Sequence, residues 1–213
     1  MSNSIIKGIV ASFDRDNIDT DQIIPTEYLK SIKKFGYGDY LFDGWRYMDE
    51  GRLDMTADDR LKNTDFILNQ EPFNDSVILL TRDNFGCGSS REHAVWALRD
   101  FGIQAVIASS FGDIFYNNCF KNSVLPIVLS EEEINELFGI TSLSPTSLEI
   151  NLFKKEIKVD ADKIFAFDLK DSLRDRIINN LDDVDITLKE RVLIESFEQN
   201  RKKQRPWIFD CIN

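Results

Sequence analysis

The 213-residue chain has few of the residues that build disulfide frameworks or metal sites. It has one histidine, His93, and three cysteines, Cys87, Cys119 and Cys211. An odd number of widely spaced cysteines excludes a Cys-x-x-Cys motif and is typical of reduced thiols. A single histidine does not make a zinc site, and the cysteines are too dispersed to hold an iron–sulfur cluster. We therefore expect this chain to hold no metal or cofactor of its own.

Long apolar runs and an excess of basic charge are absent as well. No run of about 18 apolar residues occurs, and the N-terminus has neither the basic start nor the apolar stretch of a signal peptide. With 26 basic and 37 acidic residues the net charge is −11, which argues against nucleic acid or an anionic membrane as a partner. These absences predict a cytoplasmic globular protein.

The central part of the chain alternates between strand and helix patterns. Val77 to Leu80 is typical of a buried strand, and apolar residues then recur at helical spacing from Ala94 to Phe101. A second round follows, with a strand at 105–108, a short helix at 113–122 and a strand at 125–129. Repeated alternation of this kind predicts parallel strands joined by helices.

The two ends of the chain have different patterns. Ile5 to Ala11 is typical of a strand, whereas Asp14 to Pro25 is too rich in Asp and Asn for a helix interior and is predicted to be a loop. Short antiparallel strands are expected between residues 148 and 169, followed by helices at 172–181 and 187–203.

The predicted fold class is α/β, with a mixed, mainly parallel β-sheet flanked by helices. No internal repeat or low-complexity linker divides the chain. We therefore expect a single domain over residues 1–213, with a C-terminal helical extension at about 172–213.

One loop combines glycines, serines and an arginine between a strand and a helix. Asn84 to His93 reads Asn-Phe-Gly-Cys-Gly-Ser-Ser-Arg-Glu-His. Backbone N–H groups and the helix dipole at such a junction favour an anion. Gly86 and Gly88 allow tight turns, and Arg91 offers a planar fork for a carboxylate. The pattern predicts a site for a carboxylic acid.

A structural interpretation of the same residues stands beside the functional one. Ser89 to Glu92 has the Ser-x-x-Glu form of a capping box and could simply start the helix. Three known motifs fail: a dinucleotide fingerprint needs glycine in place of Arg91, a P-loop needs Gly-Lys-Ser/Thr, and a nucleophile elbow needs glycine in place of Glu92. Spacing alone leaves both interpretations open.

Several ordered motifs carry a family resemblance. Gly88 to Ala94 resembles the signature of the mobile C-terminal (swivel) domain of aconitase-superfamily dehydratases. Asn17–Pro25, Asn84–Ala94, Ser110–Tyr116 and Leu125–Pro126 resemble the family of small subunits of bacterial 3-isopropylmalate dehydratases. The likeness covers nearly the whole chain and implies a fold like the aconitase C-terminal domain.

The resemblance also implies an activity that needs a second chain. Members of the family interconvert 2-isopropylmalate and 3-isopropylmalate, small dicarboxylic acids of leucine biosynthesis, by dehydration and rehydration. A large subunit, in a heterodimer or higher heteromer, carries a 4Fe–4S cluster that acts on the leaving hydroxyl. The small subunit is expected to contribute the base and the anion contacts.

Individual roles follow from the matched positions. Ser89 is expected to be the base that removes the proton alpha to a carboxylate. Arg91 is expected to bind a substrate carboxylate and to favour the serine alkoxide. Ser90 and Asp21 are expected to contact substrate, although an aspartate in Asp19-Thr20-Asp21 also fits an ordinary turn.

Two other residues of the loop are expected to be structural. Cys87 is interpreted as a small space-filling side chain rather than a nucleophile. His93 is interpreted as a structural hydrogen-bonding residue, since the mechanism already has its base and its Lewis acid.

The stretch Thr26 to Phe42 is expected to set substrate specificity. It departs from the aconitase loop that supplies a further arginine, and Tyr28, Leu29 and Lys30 offer apolar atoms to an isopropyl group. The longer stretch from Thr26 to Asn63 is irregular and aromatic, and so long a weakly periodic stretch is usually functional or mobile. Small subunits of homoaconitate, citraconate or maleate hydratases remain alternatives, as does a non-catalytic anion-binding regulatory module.

Overall fold

A seven-stranded β-sheet is formed by the residues that the structure describes. This structure is a computed structural model and describes residues 4–30, 35–53, 55–159 and 163–209. The strands are β1 (Ile5–Ser12), β2 (Ile78–Leu80), β3 (Ala105–Ala108), β4 (Leu125–Val128), β5 (Ser147–Asn151), β6 (Glu156–Lys158) and β7 (Ile164–Ala166). Their order in the sheet is β4-β3-β2-β1-β5-β6-β7.

Strand β1 separates a parallel half of the sheet from an antiparallel half. It pairs parallel with β2, and β2–β3 and β3–β4 are parallel as well. On its other side β5, β6 and β7 continue in antiparallel pairs. The prediction of a mixed sheet is confirmed. Parallel pairs are not the majority, because the C-terminal strands add as many antiparallel ones.

The central parallel strands β2 and β3 are buried on both faces. Ile78 and Leu80 contact one hydrophobic cluster, and Leu79 between them contacts the other. Successive side chains of a strand point to opposite faces, so a strand covered on both sides is apolar throughout. This burial explains why an uninterrupted apolar run marks β2 in the sequence.

Helices follow most of the strands. Their bounds are α1 (Thr20–Ile23), α2 (Asp43–Arg46), α3 (Glu92–Phe101), α4 (Asp113–Lys121), α5 (Glu131–Thr141), α6 (Asp171–Ile178), α7 (Asp183–Leu188) and α8 (Arg191–Gln204). Helix α1 corrects the prediction of an uninterrupted loop from Asp14 to Pro25. The side chain of Asp19 accepts a hydrogen bond from the backbone N–H of Gln22 at 2.7 Å, which closes a capped turn that apolar periodicity does not reveal.

The chain divides into two compact units, residues 1–180 and 181–213. The first unit contains the sheet, both hydrophobic clusters and α1 to α6, and the second contains α7 and α8. That the chain works as one domain with a C-terminal extension stays a prediction. Within the described ranges, no helix has the length and apolarity required to cross a membrane.

The aromatic stretch that follows α1 contains short 3₁₀ helices held by side-chain packing. The rings of Tyr28 and Tyr40 stack with centroids 4.0 Å apart. Asp43 is buried and accepts hydrogen bonds from the Tyr28 hydroxyl at 2.9 Å and from Nη1 of Arg60 at 2.6 Å. Aromatic contacts and a buried ion pair therefore order this part of the chain. Residues 31–34 lie outside the described residues.

Candidate active site

Three loops meet at one edge of the sheet. Because β1, β2 and β3 run parallel, their carboxyl ends share that edge, which is where ligands bind in open α/β sheets. The connecting segments after these strands are residues 13–19, 81–91 and 109–112. The predicted site loop, residues 84–93, therefore starts at the position expected for a ligand site.

Backbone hydrogen bonds tie the site loop to its neighbours. The N–H of Gly86 donates to the carbonyl of Ile18 at 2.7 Å, which joins it to the first segment. The N–H of Phe85 donates to the carbonyl of Ser110 at 3.1 Å, which joins it to the third. The conformation of the site loop is therefore set by contacts that are distant in sequence.

Two glycines make this backbone path possible. Gly86 and Gly88 have φ values of +72° and +87°, in the left-handed region that favours glycine. A Cβ atom on Gly86 would lie 2.2 Å from Cγ of the Phe115 ring. The prediction of tight turns at these two positions is confirmed.

A pocket of about 480 Å³, here called the loop pocket, opens beside these turns. Its lining comes from the site loop, α1 and the start of α4: Thr20, Asn84, Gly86, Cys87, Gly88, Ser89, Ser90, Arg91, Phe111, Gly112, Asp113, Ile114 and Phe115. Helices α3 and α4 begin at Glu92 and Asp113, so two helix N-termini adjoin the pocket. The positive ends of helix dipoles attract anions, and the loop pocket therefore favours an acidic ligand.

Helix α3 begins without the capping box that its sequence suggests. Arg91 is the N-cap residue, in an extended conformation and with no side-chain capping hydrogen bond. The capping-box interpretation of Ser89 is therefore wrong, because the helix starts too late for that serine to cap it. The carboxylate of Glu92 instead accepts a hydrogen bond from Nδ2 of Asn122 at 2.9 Å, which links the start of α3 to the end of α4.

Arg91 and Asp21 form an ion pair at the loop pocket. Nη1 of Arg91 donates to Oδ1 of Asp21, and the hydroxyl of Thr26 donates to the same oxygen at 2.7 Å. These two hydrogen bonds, the one from Arg91 first, lower the pKa of Asp21. The arginine side chain is 13% exposed and the aspartate side chain 54%. Two predicted substrate-binding residues are thus brought together, with the guanidinium held from one side.

Ser89 and Ser90 are exposed on the wall of the same pocket. The backbone carbonyl of Ser89 accepts a hydrogen bond from the hydroxyl of Thr20 at 2.9 Å. The structure therefore assembles Ser89, Ser90 and Arg91 around one cavity, with Asp21 behind the arginine.

The predicted specificity residues lie elsewhere. Tyr28 is fully buried, and its hydroxyl donates to Asp43, so that burial and this contact raise the pKa of Tyr28. Leu29 packs against the hydrophobic core, and Lys30 lines a different pocket of about 730 Å³. None of these three residues lines the loop pocket in the structure as described. Their part in specificity stays a prediction, and residues 31–34 of the same stretch lie outside the described ranges.

The remaining two loop residues differ in their surroundings. Burial, followed by the negative charge of Asp19, raises the pKa of the Cys87 thiol, which disfavours a nucleophilic thiolate. The ring of His93 lies 4.5 Å from that of Trp96 and 5.3 Å from that of Tyr37, measured between centroids. Burial lowers the pKa of His93. The contacts that the structure describes for this histidine are aromatic packing, and its expected hydrogen-bonding role stays a prediction.

Sequence reasoning missed Thr20 and Thr26. The first lines the loop pocket and contacts Ser89, and the second holds Asp21. A usable signal was present, because Asp19-Thr20-Asp21-Gln22 has the form of a capping box that starts a helix at Thr20.

Metal ligation by this chain requires several ligand side chains to lie close together among the described residues. No group of three or more His, Cys, Asp or Glu side chains that could hold a metal occurs among them. Cys87 and Cys119 are free thiols, Cys119 is buried in the core, and Cys211 lies outside the described residues. The described side chains therefore do not fit an iron–sulfur cluster.

Comparison with known proteins gives consistent matches. The aconitase C-terminal domain family matches residues 3–132. The 3-isopropylmalate dehydratase small subunit of Marinobacter nauticus is 48% identical over 208 residues, which cover 97% of each chain. That of Neisseria meningitidis serogroup C is 47% identical over 206 residues, covering 96% of this chain and 97% of the relative. The crystal structure of 3-isopropylmalate dehydratase from Methanocaldococcus jannaschii has a TM-score of 0.62 at 31% identity, covering 91% of this chain and 99% of that one.

Proposed function

Because the chain belongs to the family of 3-isopropylmalate dehydratase small subunits, we propose that its site loop supplies the base and the anion contacts of a dehydratase active site. The chain is a hydro-lyase subunit of leucine biosynthesis, whose reaction interconverts 2-isopropylmalate and 3-isopropylmalate by dehydration and rehydration. The observation that carries the proposal is the presence of Ser89 and Arg91 on the wall of one pocket, beside two helix N-termini.

Ser89 is the proposed base that takes the proton alpha to a substrate carboxylate. A serine hydroxyl is too weak an acid to act as a base at neutral pH unless its surroundings stabilise the alkoxide. The N-terminus of α3, the N–H groups of the site loop and the charge of Arg91 are the stabilising groups available. Ser90 is proposed to hydrogen-bond the substrate from the adjacent position.

Arg91 is the proposed ligand of a substrate carboxylate. An arginine has five N–H donors in a planar fork, and the contact with Asp21 is made through Nη1. Asp21 and Thr26 therefore support the proposal by fixing the guanidinium while leaving donors for an incoming acid. In this arrangement the main role of Asp21 is to orient Arg91, and contact with substrate is secondary.

The small-subunit family implies a large-subunit partner. We propose a heterodimer or larger heteromer whose large subunit holds a 4Fe–4S cluster, since the described side chains of this chain do not fit one. When bound there, the cluster supplies a Lewis acid for the leaving hydroxyl. The task of this chain is then to bind the acid and remove the proton. A cytoplasmic location is part of the proposal and agrees with the two free thiols.

Reconstitution tests the function. Mixed anaerobically with a cluster-loaded large subunit, the chain is expected to form the unsaturated intermediate from isopropylmalate, which is followed by its ultraviolet absorbance. Citraconate and homoaconitate are tested as competing substrates, because related small subunits act on these acids. The stretch Thr26 to Phe42 is predicted to decide which acid is preferred. Faster turnover of citraconate or homoaconitate than of isopropylmalate would reassign the substrate. If none of the three acids were turned over, the proposed enzyme function would be contradicted.

Replacing Arg91 by lysine tests the anion contact. Lysine keeps the charge but loses the planar fork, so the bidentate geometry for a carboxylate is lost. Because a hydrogen bond to a charged group contributes about 1.5 to 3 kcal/mol, we expect kcat/KM to fall by about tenfold to hundredfold, chiefly through KM. The measurement is steady-state kinetics of the assembled enzyme.

Arg82→Lys is the matched control for that experiment. Arg82 also forms an ion pair with an aspartate, Asp14, but it does not line the loop pocket. Its kcat/KM should stay near that of the wild type. Equal losses in both variants would mean that the effect of Arg91→Lys is not specific to substrate binding.

A further inference from the structure

Helix α1 contacts both proposed functional residues from two adjacent positions. The hydroxyl of Thr20 donates to the carbonyl of Ser89, and the next residue, Asp21, binds Arg91. The helix is a single turn that begins with a capping box: the Asp19 side chain accepts from the N–H of Gln22, and the Gln22 side chain accepts from the N–H of Asp19. One short element therefore sets the positions of the base and of the carboxylate ligand relative to each other.

We propose that Thr20 is a positioning residue for Ser89, an inference that rests on the proposed role of Ser89 as the base. Thr20 is 1% exposed and lines the loop pocket. Its N–H donates to the carbonyl of Cys87 at 3.0 Å, and its hydroxyl donates to the carbonyl of Ser89 at 2.9 Å. Thr20 thus holds the site loop at two carbonyls, one on each side of Gly88.

Gly88 is the reason why this double attachment matters. Its φ of +87° lies where glycine rotates easily, so the backbone on either side of it can turn with little steric cost. Gly88 is exposed and has no Cβ that would limit this rotation. The hydrogen bonds of Thr20 therefore restrain the peptide that carries Ser89.

Loss of the hydroxyl should affect the chemical step more than substrate binding. Without it, the Ser89 carbonyl loses its partner and the serine can turn about Gly88, away from the substrate carbon. Arg91 keeps its separate support from Asp21 and Thr26. A misplacement of about 1 Å can lower a rate by about a hundredfold, so kcat should fall while KM changes little.

The test uses the assembled two-subunit enzyme. Thr20→Val keeps the shape of the side chain but removes the hydroxyl, and we expect kcat to fall by about tenfold to hundredfold with KM within about threefold of the wild type. Thr20→Ser restores the hydroxyl and should return kcat to within about threefold. With substrate deuterated at the carbon that loses its proton, the isotope effect on kcat should be larger in the valine variant than in the wild type. A mere loss of folded enzyme would lower kcat without changing the isotope effect.

Thr81→Val is the matched control. Thr81 is also 1% exposed and its hydroxyl also donates to a backbone carbonyl, that of Arg15, but it does not line the loop pocket. It should leave kcat and the isotope effect unchanged. If Thr20→Val fails to fold, Thr20→Ala compared with Thr20→Ser repeats the test, because these two variants lack the same methyl group and differ only in the hydroxyl.

The outcomes separate this inference from the function on which it rests. Wild-type kcat in Thr20→Val beside an inactive Ser89→Ala would overturn the positioning role and leave Ser89 as the base. Full activity in Ser89→Ala would overturn the proposed function itself. A fall in kcat that Thr20→Ser does not reverse, or that comes with an unchanged isotope effect, would also contradict positioning through the hydroxyl.

Discussion

Replacement of Ser89 by alanine is expected to abolish most of the turnover and to leave the fold intact. A positioned general base contributes about 10² to 10⁴ in rate, and a loss of about 10³ in kcat is expected for the assembled enzyme. The free energy of unfolding should stay within about 0.5 kcal/mol of the wild type, because Ser89 is exposed and does not cap α3. Steady-state kinetics and urea unfolding measure the two quantities.

The adjacent serine provides the control. Ser90 is exposed on the same wall of the loop pocket, so Ser90→Ala makes an equal chemical change one residue away. If Ser90 only hydrogen-bonds the substrate, its variant should lose about 0.5 to 1.5 kcal/mol of binding, or up to about tenfold in kcat/KM. A larger loss of kcat/KM in Ser90→Ala than in Ser89→Ala would mean that Ser90 is the base and Ser89 the residue that hydrogen-bonds the substrate.

The fold was largely predictable because its strongest signals come from burial. The central strands are apolar throughout since both faces are covered, and the Ser-x-x-Glu spacing of Ser130 and Glu133 forms the capping box at the start of α5. Helix α1 was missed because a single turn has no apolar periodicity to display. Its only local signal is the pair Asp19 and Gln22.

The candidate site was predictable in composition but not in contacts. Glycines at 86 and 88 indicated backbone turns that the structure confirms. The partner of Arg91 could not be foreseen, because Asp21 is 70 residues away and reaches it only through the pairing of β1 with β2. The start of α3 was ambiguous for a local reason: Ser89 and Glu92 have the spacing of a capping box, and only the extended backbone at Arg91 excludes it.

Specificity is where local sequence was least informative. Tyr28 belongs to a stretch whose resemblance implies substrate contact, yet its ring is stacked on Tyr40 and its hydroxyl is bound to Asp43. The sequence around a tyrosine in a glycine-rich, aromatic stretch does not predict which charged residue its hydroxyl will bind. The buried cluster around Asp43 therefore becomes the clearest structural determinant of this part of the chain.

Asp43→Ala is expected to cause the largest loss of stability of any change considered. The side chains of Asp43 and Arg60 are 8% and 2% exposed, and removing the aspartate leaves a buried guanidinium without its main counter-charge. Breaking such a pair from one side costs about 3 to 5 kcal/mol. Arg60 keeps a contact of 3.0 Å with Asp49, which is 32% exposed, so we expect the lower end of that range. Urea unfolding followed by circular dichroism measures the change.

Two further variants decide whether the buried charge is the cause. Asp14→Ala breaks an aspartate–arginine pair at the surface, with side chains 68% and 28% exposed, and should cost at most about 1 kcal/mol. Adding Arg60→Met to Asp43→Ala removes the stranded guanidinium and should recover part of the lost stability, since an apolar side chain tolerates the site better than an unpaired charge. A double variant less stable than Asp43→Ala alone would show that Arg60 stabilises this region through its packing over the Tyr47 ring, 4.1 Å away, and not through the ion pair.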